Sequence, residues 1–194
     1  KSSGFEADLI VGRIFTFVQH VMAQQQGRDI PLEHAREKAI FYYREYGSTY
    51  TGLEAEFGIH PAESSAHIYD DKGLDYSALA PCQKTRAALE VMRFERKIRL
   101  AILSNGTDVH VHQTLKAMGL NGLFGVVHGF NHNHFIPKPN VSTIQNTLWD
   151  MNTTPERVIF LEDSLKNLQA GQTLGMGYNV LIDEDSTTPP ANTD

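Results

Sequence analysis

Apolar residues recur with the period of a helix over the first part of the chain and in short runs over the rest. From 5 to 24, Phe5, Leu9, Ile14, Val18, Val21 and Met22 fall near 3.6-residue spacing and make one apolar face. Gly27 is a natural stop. Pro31-Leu32-Glu33 opens a second helix, with Pro suited to the first turn and Glu to its positive end. It is predicted to run to about Tyr46, where Gly47 breaks it. Shorter helices are predicted near 52–57 and 61–69, and Asp70-Asp71-Lys72-Gly73 marks a turn. No β-branched run interrupts this half, so residues 1–80 read as an all-helical module. After Pro81 the pattern alternates. Helices at 83–93, 109–118, 141–150 and 165–174 separate apolar runs at 98–103, 124–127, 158–161 and 178–182. That alternation predicts an α/β region, residues 81–194, built of βαβ units around a parallel sheet with helices on both faces.

Composition leaves this picture intact and narrows the partners. The 194 residues are 41% apolar and 21% charged, an ordinary globular balance. Lys plus Arg less Asp plus Glu is 17 − 23 = −6, with no cationic block, which argues against a nucleic-acid partner. Apolar runs are far shorter than the roughly 20 residues a membrane span needs. The single Cys82 excludes an internal disulfide and favours an intracellular, cytoplasmic rather than organellar setting, with no signal peptide in view. The tail from Asp183 is polar and Pro-containing, expected to be poorly ordered.

Ligands of open α/β sheets lie at the carboxyl ends of the strands. The run at 98–103 is followed by Ser104-Asn105-Gly106, a hydroxyl and a turn of backbone N–H groups able to cradle a phosphate. The same residues would also serve as a helix cap. The run at 158–161 leads into Glu162-Asp163-Ser164, with Asn167 one turn later. Adjacent carboxylates leaving an apolar strand are costly unless paired, and Mg²⁺ with oxygen ligands is one solution. Capping by Asp163 with Glu162 solvated is the other. Lys138 stands between Pro137 and Pro139, which stiffen its loop and fix a cation able to offset phosphate charge.

These motifs resemble those of the haloacid-dehalogenase-like (HAD) superfamily. Leu103-Ser104-Asn105-Gly106, Lys138-Pro139 and Phe160-Leu161-Glu162-Asp163-Ser164 through Asn167 to Ala170-Gly171 look like its second, third and fourth motifs. Tyr42-Tyr43-Arg44-Glu45-Tyr46-Gly47-Ser48-Thr49-Tyr50-Thr51-Gly52-Leu53 is similar to the cap segment of its pyrimidine 5′-nucleotidase branch. The resemblance implies a Rossmann-like core with a helical cap over residues 1–80. It implies Mg²⁺-dependent hydrolysis of a small phosphorylated metabolite, such as a nucleoside monophosphate, through an aspartyl-phosphate. Ser104 and the Asn105 N–H would hold the phosphoryl group, and Lys138 would neutralise charge. Asp163 would ligate Mg²⁺ directly and Glu162 through water, with Asn167 organising them.

The family carries Asp-x-Asp-x-Thr at the end of a first, central strand, and the stretch Lys1-Ser2-Ser3-Gly4 resembles the residues just after that motif. Asp8 and Asp70-Asp71 lie in the helical module, and Asp183-Glu184-Asp185-Ser186-Thr187 has the motif's spacing but follows the last apolar run, at the wrong edge of the sheet. The resemblance therefore implies that this central strand, between the runs at 98–103 and 158–161, is missing from the sequence. Its absence would open roughly 9–10 Å between those runs. It would also remove burial worth about 5–10 kcal/mol, comparable with a domain's net stability. Upstream residues, or a protein partner or second fragment, would complete the sheet, and without one no turnover is expected. The rival expectation is an inactive accessory subunit of a larger assembly.

Four further features add little. His128, His132 and His134 have neither a nearby Cys nor a helical His pair, and read as a polar loop rather than a zinc site. Asp108 reads as a helix cap and Cys82 as inert. Tyr42, Tyr43, Tyr46 and Tyr50 would either stack on a base or pack within the helical module.

Overall fold

The structure, a computed structural model, describes residues 3–69 and 74–182, with 3–9 as backbone helix alone. The turn expected at 70–73 and the tail from Asp183 lie outside the described residues. The chain divides into two compact units, Lys1–Lys138 and Pro139–Asp194. Both are α/β, and each contains one pair of parallel strands.

The first unit begins with α1 (Ser3–Gln26), α2 (Leu32–Tyr46), α3 (Thr49–Phe57) and α4 (Pro61–Ile68). Their ends follow from local chemistry. Gly27 and Gly47 sit at φ of 63° and 79°, left-handed positions that glycine takes without a Cβ penalty. The Ser48 hydroxyl accepts from the Thr51 N–H at 3.2 Å and caps α3. Val18, Val21, Ala35, Ala39, Tyr42, Leu53 and Ile68 form the core of these helices. Gly52 is required there, because a Cβ would run into the Tyr42 ring. Tyr42 and Tyr50 are buried in this core while Tyr43 and Tyr46 are exposed, so the tyrosine-rich segment divides between packing and surface. The core also takes in Phe130, from the far side of the sequence, which is 1% exposed and stacks on Tyr50 at 4.7 Å between ring centroids.

Next come α5 (Gln83–Glu90), a π-helical turn at Val91–Glu95, and β1 (Ala101–Leu103). The strand starts later than the apolar run suggested. The Ile98 N–H still bonds back to the Met92 carbonyl, and Lys97 takes a left-handed φ of 57°, so extended pairing begins only beyond them. Helix α6 (Asp108–Ala117) leads to β2 (Val126–His128), parallel to β1 in the register Ala101–Val126, Ile102–Val127, Leu103–His128. Ile102 and Val127 pack against a core of Val111, Leu115, Leu120 and Leu123.

The second unit holds α7 (Val141–Asp150), β3 (Ile159–Glu162), α8 (Leu165–Thr173) and β4 (Tyr178–Leu181). β3 and β4 are parallel, with Ile159 opposite Tyr178 and Glu162 opposite Leu181. Helix α8 packs closely on this pair at Gly171, where a Cβ would fall 2.9 Å from the Phe160 ring. Among the described residues β1 and β3 each have a single strand partner.

Candidate functional site

β1 ends in a tight polar turn. The Ser104 N–H donates to the His128 carbonyl at 2.9 Å, extending the ladder by one bond. The Ser104 hydroxyl oxygen then accepts from the Gly106 N–H at 3.0 Å, which leaves its own proton to donate elsewhere. Gly106 is buried, and a Cβ on it would lie 2.9 Å from the His110 ring and 3.3 Å from the Ser104 hydroxyl oxygen. Only a glycine fits so close a turn. His110 is held in turn by the Tyr76 hydroxyl, 3.0 Å from its Nδ1, and lies against the Tyr69 ring.

The turn is tied directly to Lys138. The Asn105 side-chain oxygen accepts from the Lys138 N–H at 2.8 Å, and its amide nitrogen donates to the Lys138 carbonyl at 3.0 Å. Lys138 is only 8% exposed. Ser104, Asn105 and Lys138, named from sequence as phosphate-binding residues, are therefore brought together within one unit. The motifs identified Asn105 through its backbone N–H; the side-chain link to Lys138 had no signal in them.

Asp108 differs from its expected role. Thr107 caps α6, its hydroxyl oxygen accepting from the His110 N–H at 3.3 Å. The Asp108 carboxylate instead accepts from the Gly129 N–H at 2.7 Å, and its own N–H donates to Asn131 Oδ1 at 3.2 Å. Asp108 thus fastens the segment after β2. That segment is not simply a polar loop: Phe130 and Asn133 are buried, while Asn131, His132 and His134 are exposed. His128 is buried and stacks on His132 with ring centroids 3.6 Å apart.

In the second unit, Glu162 ends β3 and is buried, contrary to the reading that left it solvated. Its Oε1 accepts from the Ser164 N–H at 3.2 Å, and its carbonyl accepts from the Ile182 N–H at 2.9 Å. Asp163 is exposed, and Ser164, not Asp163, occupies the N-cap position of α8. Asn167 is buried on the first turn of that helix. A buried and an exposed carboxylate at one strand end offer hard oxygen donors of the kind Mg²⁺ takes. They suit one or two protein ligands rather than a full shell.

Cys82 is exposed, its sulfur accepting from the Thr85 hydroxyl at 3.2 Å, and this bond holds the thiol below its usual range. Among the described residues no helix is long and apolar enough to cross a membrane.

Three comparisons bear on this arrangement. No curated protein sequence matches the chain. Among solved structures, a HAD phosphatase from Thermococcus onnurineus is similar at 19% identity, covering 95% of this chain and 83% of its own, with a TM-score of 0.57. An L-2-haloacid dehalogenase from Xanthobacter autotrophicus with covalently bound chloropropionic acid is similar at 18% identity, 88% and 74% coverage and a TM-score of 0.54. A HAD family hydrolase from Deinococcus radiodurans R1 with bound phosphate and sodium gives 19%, 92% and 76%, and a TM-score of 0.53. These likenesses are of fold. Residues 12–180, which include both strand-end motifs and most of the helical module, match the family model described as haloacid dehalogenase-like hydrolase, and the chain belongs to that family.

Proposed function

We propose that this hydrolase-family chain binds small phosphomonoesters, with a nucleoside monophosphate of the pyrimidine type as its substrate class, and hydrolyses them only once a strand carrying the attacking aspartate completes its sheet. The observation that carries the reading is the joining of the Ser104 turn to Lys138, which puts a hydroxyl donor and a buried lysine on one strand end. Ser104 donates to a phosphoryl oxygen, the Asn105 N–H donates to another, and the Lys138 ammonium offsets their charge. Asp163 holds Mg²⁺ directly, Glu162 holds it through water, and Asn167 orders the pair. Bound Mg²⁺ supplies Lewis-acid polarisation of phosphoryl oxygens. Residues 1–80 act as a cap that excludes water and reads the leaving group.

Attack on phosphorus needs the aspartate of an Asp-x-Asp-x-Thr segment, a role given to none of the residues named above. These residues account for binding and charge neutralisation, so binding is the appropriate test. Calorimetric titration should show saturable binding of a nucleoside monophosphate, none of the matching nucleoside, and stronger binding with Mg²⁺. Asp163→Asn should remove only the Mg²⁺-dependent part. Equal binding of nucleoside and monophosphate would refute the reading.

A second reading, an accessory subunit that binds without turnover, draws on β3, where Ile159 and Leu161 are 63% and 61% exposed. It requires saturable binding without phosphate release in every assembly the chain forms.

A further inference from the structure

We propose that Asn105 is a positioning residue that sets the Lys138 ammonium for its anionic ligand by clamping the Lys138 backbone. This rests on the phosphate-binding role proposed for Lys138. The clamp spans 33 residues of sequence and has both polarities: Lys138 N–H to Asn105 Oδ1 at 2.8 Å, and Asn105 Nδ2 to Lys138 carbonyl at 3.0 Å. One planar amide thus grips both backbone polar groups of a single residue, bracketing the Cα from which the lysine side chain springs.

The neighbours make this grip count. Proline has no N–H, so Lys138 carries the only amide donor of Pro137-Lys138-Pro139, and Asn105 takes it. The two rings stiffen the tripeptide but leave its placement to something outside it. Upstream, the segment is anchored by Phe130, whose ring meets Tyr50 at 4.7 Å and Phe135 at 5.5 Å. Downstream of Phe135, the Asn105 amide fastens Lys138 to the end of β1. Asn105 is also adjacent to Ser104, so one residue registers the cation against the hydroxyl donor.

Side-chain chemistry explains the residue type. Asparagine offers an acceptor and a donor on one carbon, whereas ionised aspartate only accepts. Asn105→Asp would keep the bond from the Lys138 N–H and set an acceptor against the Lys138 carbonyl. Asn105→Ala would lose both bonds.

The test uses the full chain and inorganic phosphate, with two readouts. By NMR hydrogen exchange, the Lys138 amide should be protected in the wild type and in Asn105→Asp, and unprotected in Asn105→Ala. By calorimetry, Asn105→Ala should weaken phosphate about tenfold, the worth of one displaced charge-assisted bond. Asn105→Asp should also weaken it, because one half of the clamp is gone. Lys138→Ala should weaken phosphate at least as much as Asn105→Ala, and adding Asn105→Ala to Lys138→Ala should cost nothing further. A purely structural role would give additive losses in the double variant, and additivity would overturn the proposal. Wild-type phosphate affinity in Asn105→Ala with Lys138 protection lost would also overturn it. If the wild type itself binds no phosphate, the functional reading falls and the positioning role falls with it, while the exchange experiment still decides whether the clamp exists. Should Asn105→Ala fail to fold, Asn105→Asp alone carries both readouts.

Discussion

The two strand pairs carry the same kind of cargo at their ends and are built differently along their length. In β1–β2, Ile102 and Val127 pack on Val111, Leu115, Leu120 and Leu123, and the pair is at least half-buried throughout. In β3–β4, Ile159 and Leu161 share one exposed face, while Phe160 and Glu162 alternate onto the other. Two of the three apolar residues of β3 thus lie outside, and its acid lies inside beside Phe160. A strand whose period-2 pattern points a carboxylate inward is arranged around its polar terminus rather than its core. The contrast separates residues that hold the molecule together from residues kept for what they meet.

Four predictions probe that contrast, from the largest effect to the smallest. Phe130 ties the segment after β2 into the helical core, so Phe130→Ala should lower stability by about 3–5 kcal/mol in urea denaturation. A cost below about 1 kcal/mol, the scale of an ordinary surface change, would mean the helical core ends at α4. Gly52→Ala drives a methyl into the Tyr42 ring and should cost about 1–3 kcal/mol by the same measurement. Alkaline pH acts on the same core. Burial raises the hydroxyl pKa of Tyr50, with Tyr69 adding to it, and burial also raises that of Tyr42, with the Glu56 carboxylate adding. Unfolded tyrosines lose their protons near pH ~10 while these two keep theirs. Stability should therefore be intact below that pH and fall as pH rises through it. Ultraviolet absorbance should show these hydroxyls ionising together with unfolding. If both ionised in the still-folded protein, their burial would be disproved. On β3, by contrast, Leu161→Thr should change stability by no more than about 0.5 kcal/mol. A large loss there would erase the distinction between the two pairs.

Much of the fold was legible because its punctuation is local. Gly27 and Gly47 stop helices where their positive φ requires it, and the helix predicted at 141–150 forms over those residues. The features that escaped depend on distant partners. β1 begins late because a π turn carries the helical backbone to Arg96 and a left-handed Lys97 closes it. Asp108 looked like a cap because a carboxylate before a helix usually is one, and only the fold brings Gly129 to it. Phe130 sat among His and Asn residues that read as solvent-facing, yet its ring belongs to the helical core. Ser104, Asn105 and Lys138 were legible as residue types at strand ends; the amide that joins two of them was not.

The central claim is that the Ser104 turn and Lys138 form a phosphate-binding centre. Its most direct test is a titration of the full chain with inorganic phosphate beside Lys138→Met, which keeps an apolar stem and removes the charge. Saturable binding by the wild type, weakened about 10- to 100-fold in the variant with stability unchanged, is the predicted result. Indistinguishable titrations, or no binding by either protein, would contradict it.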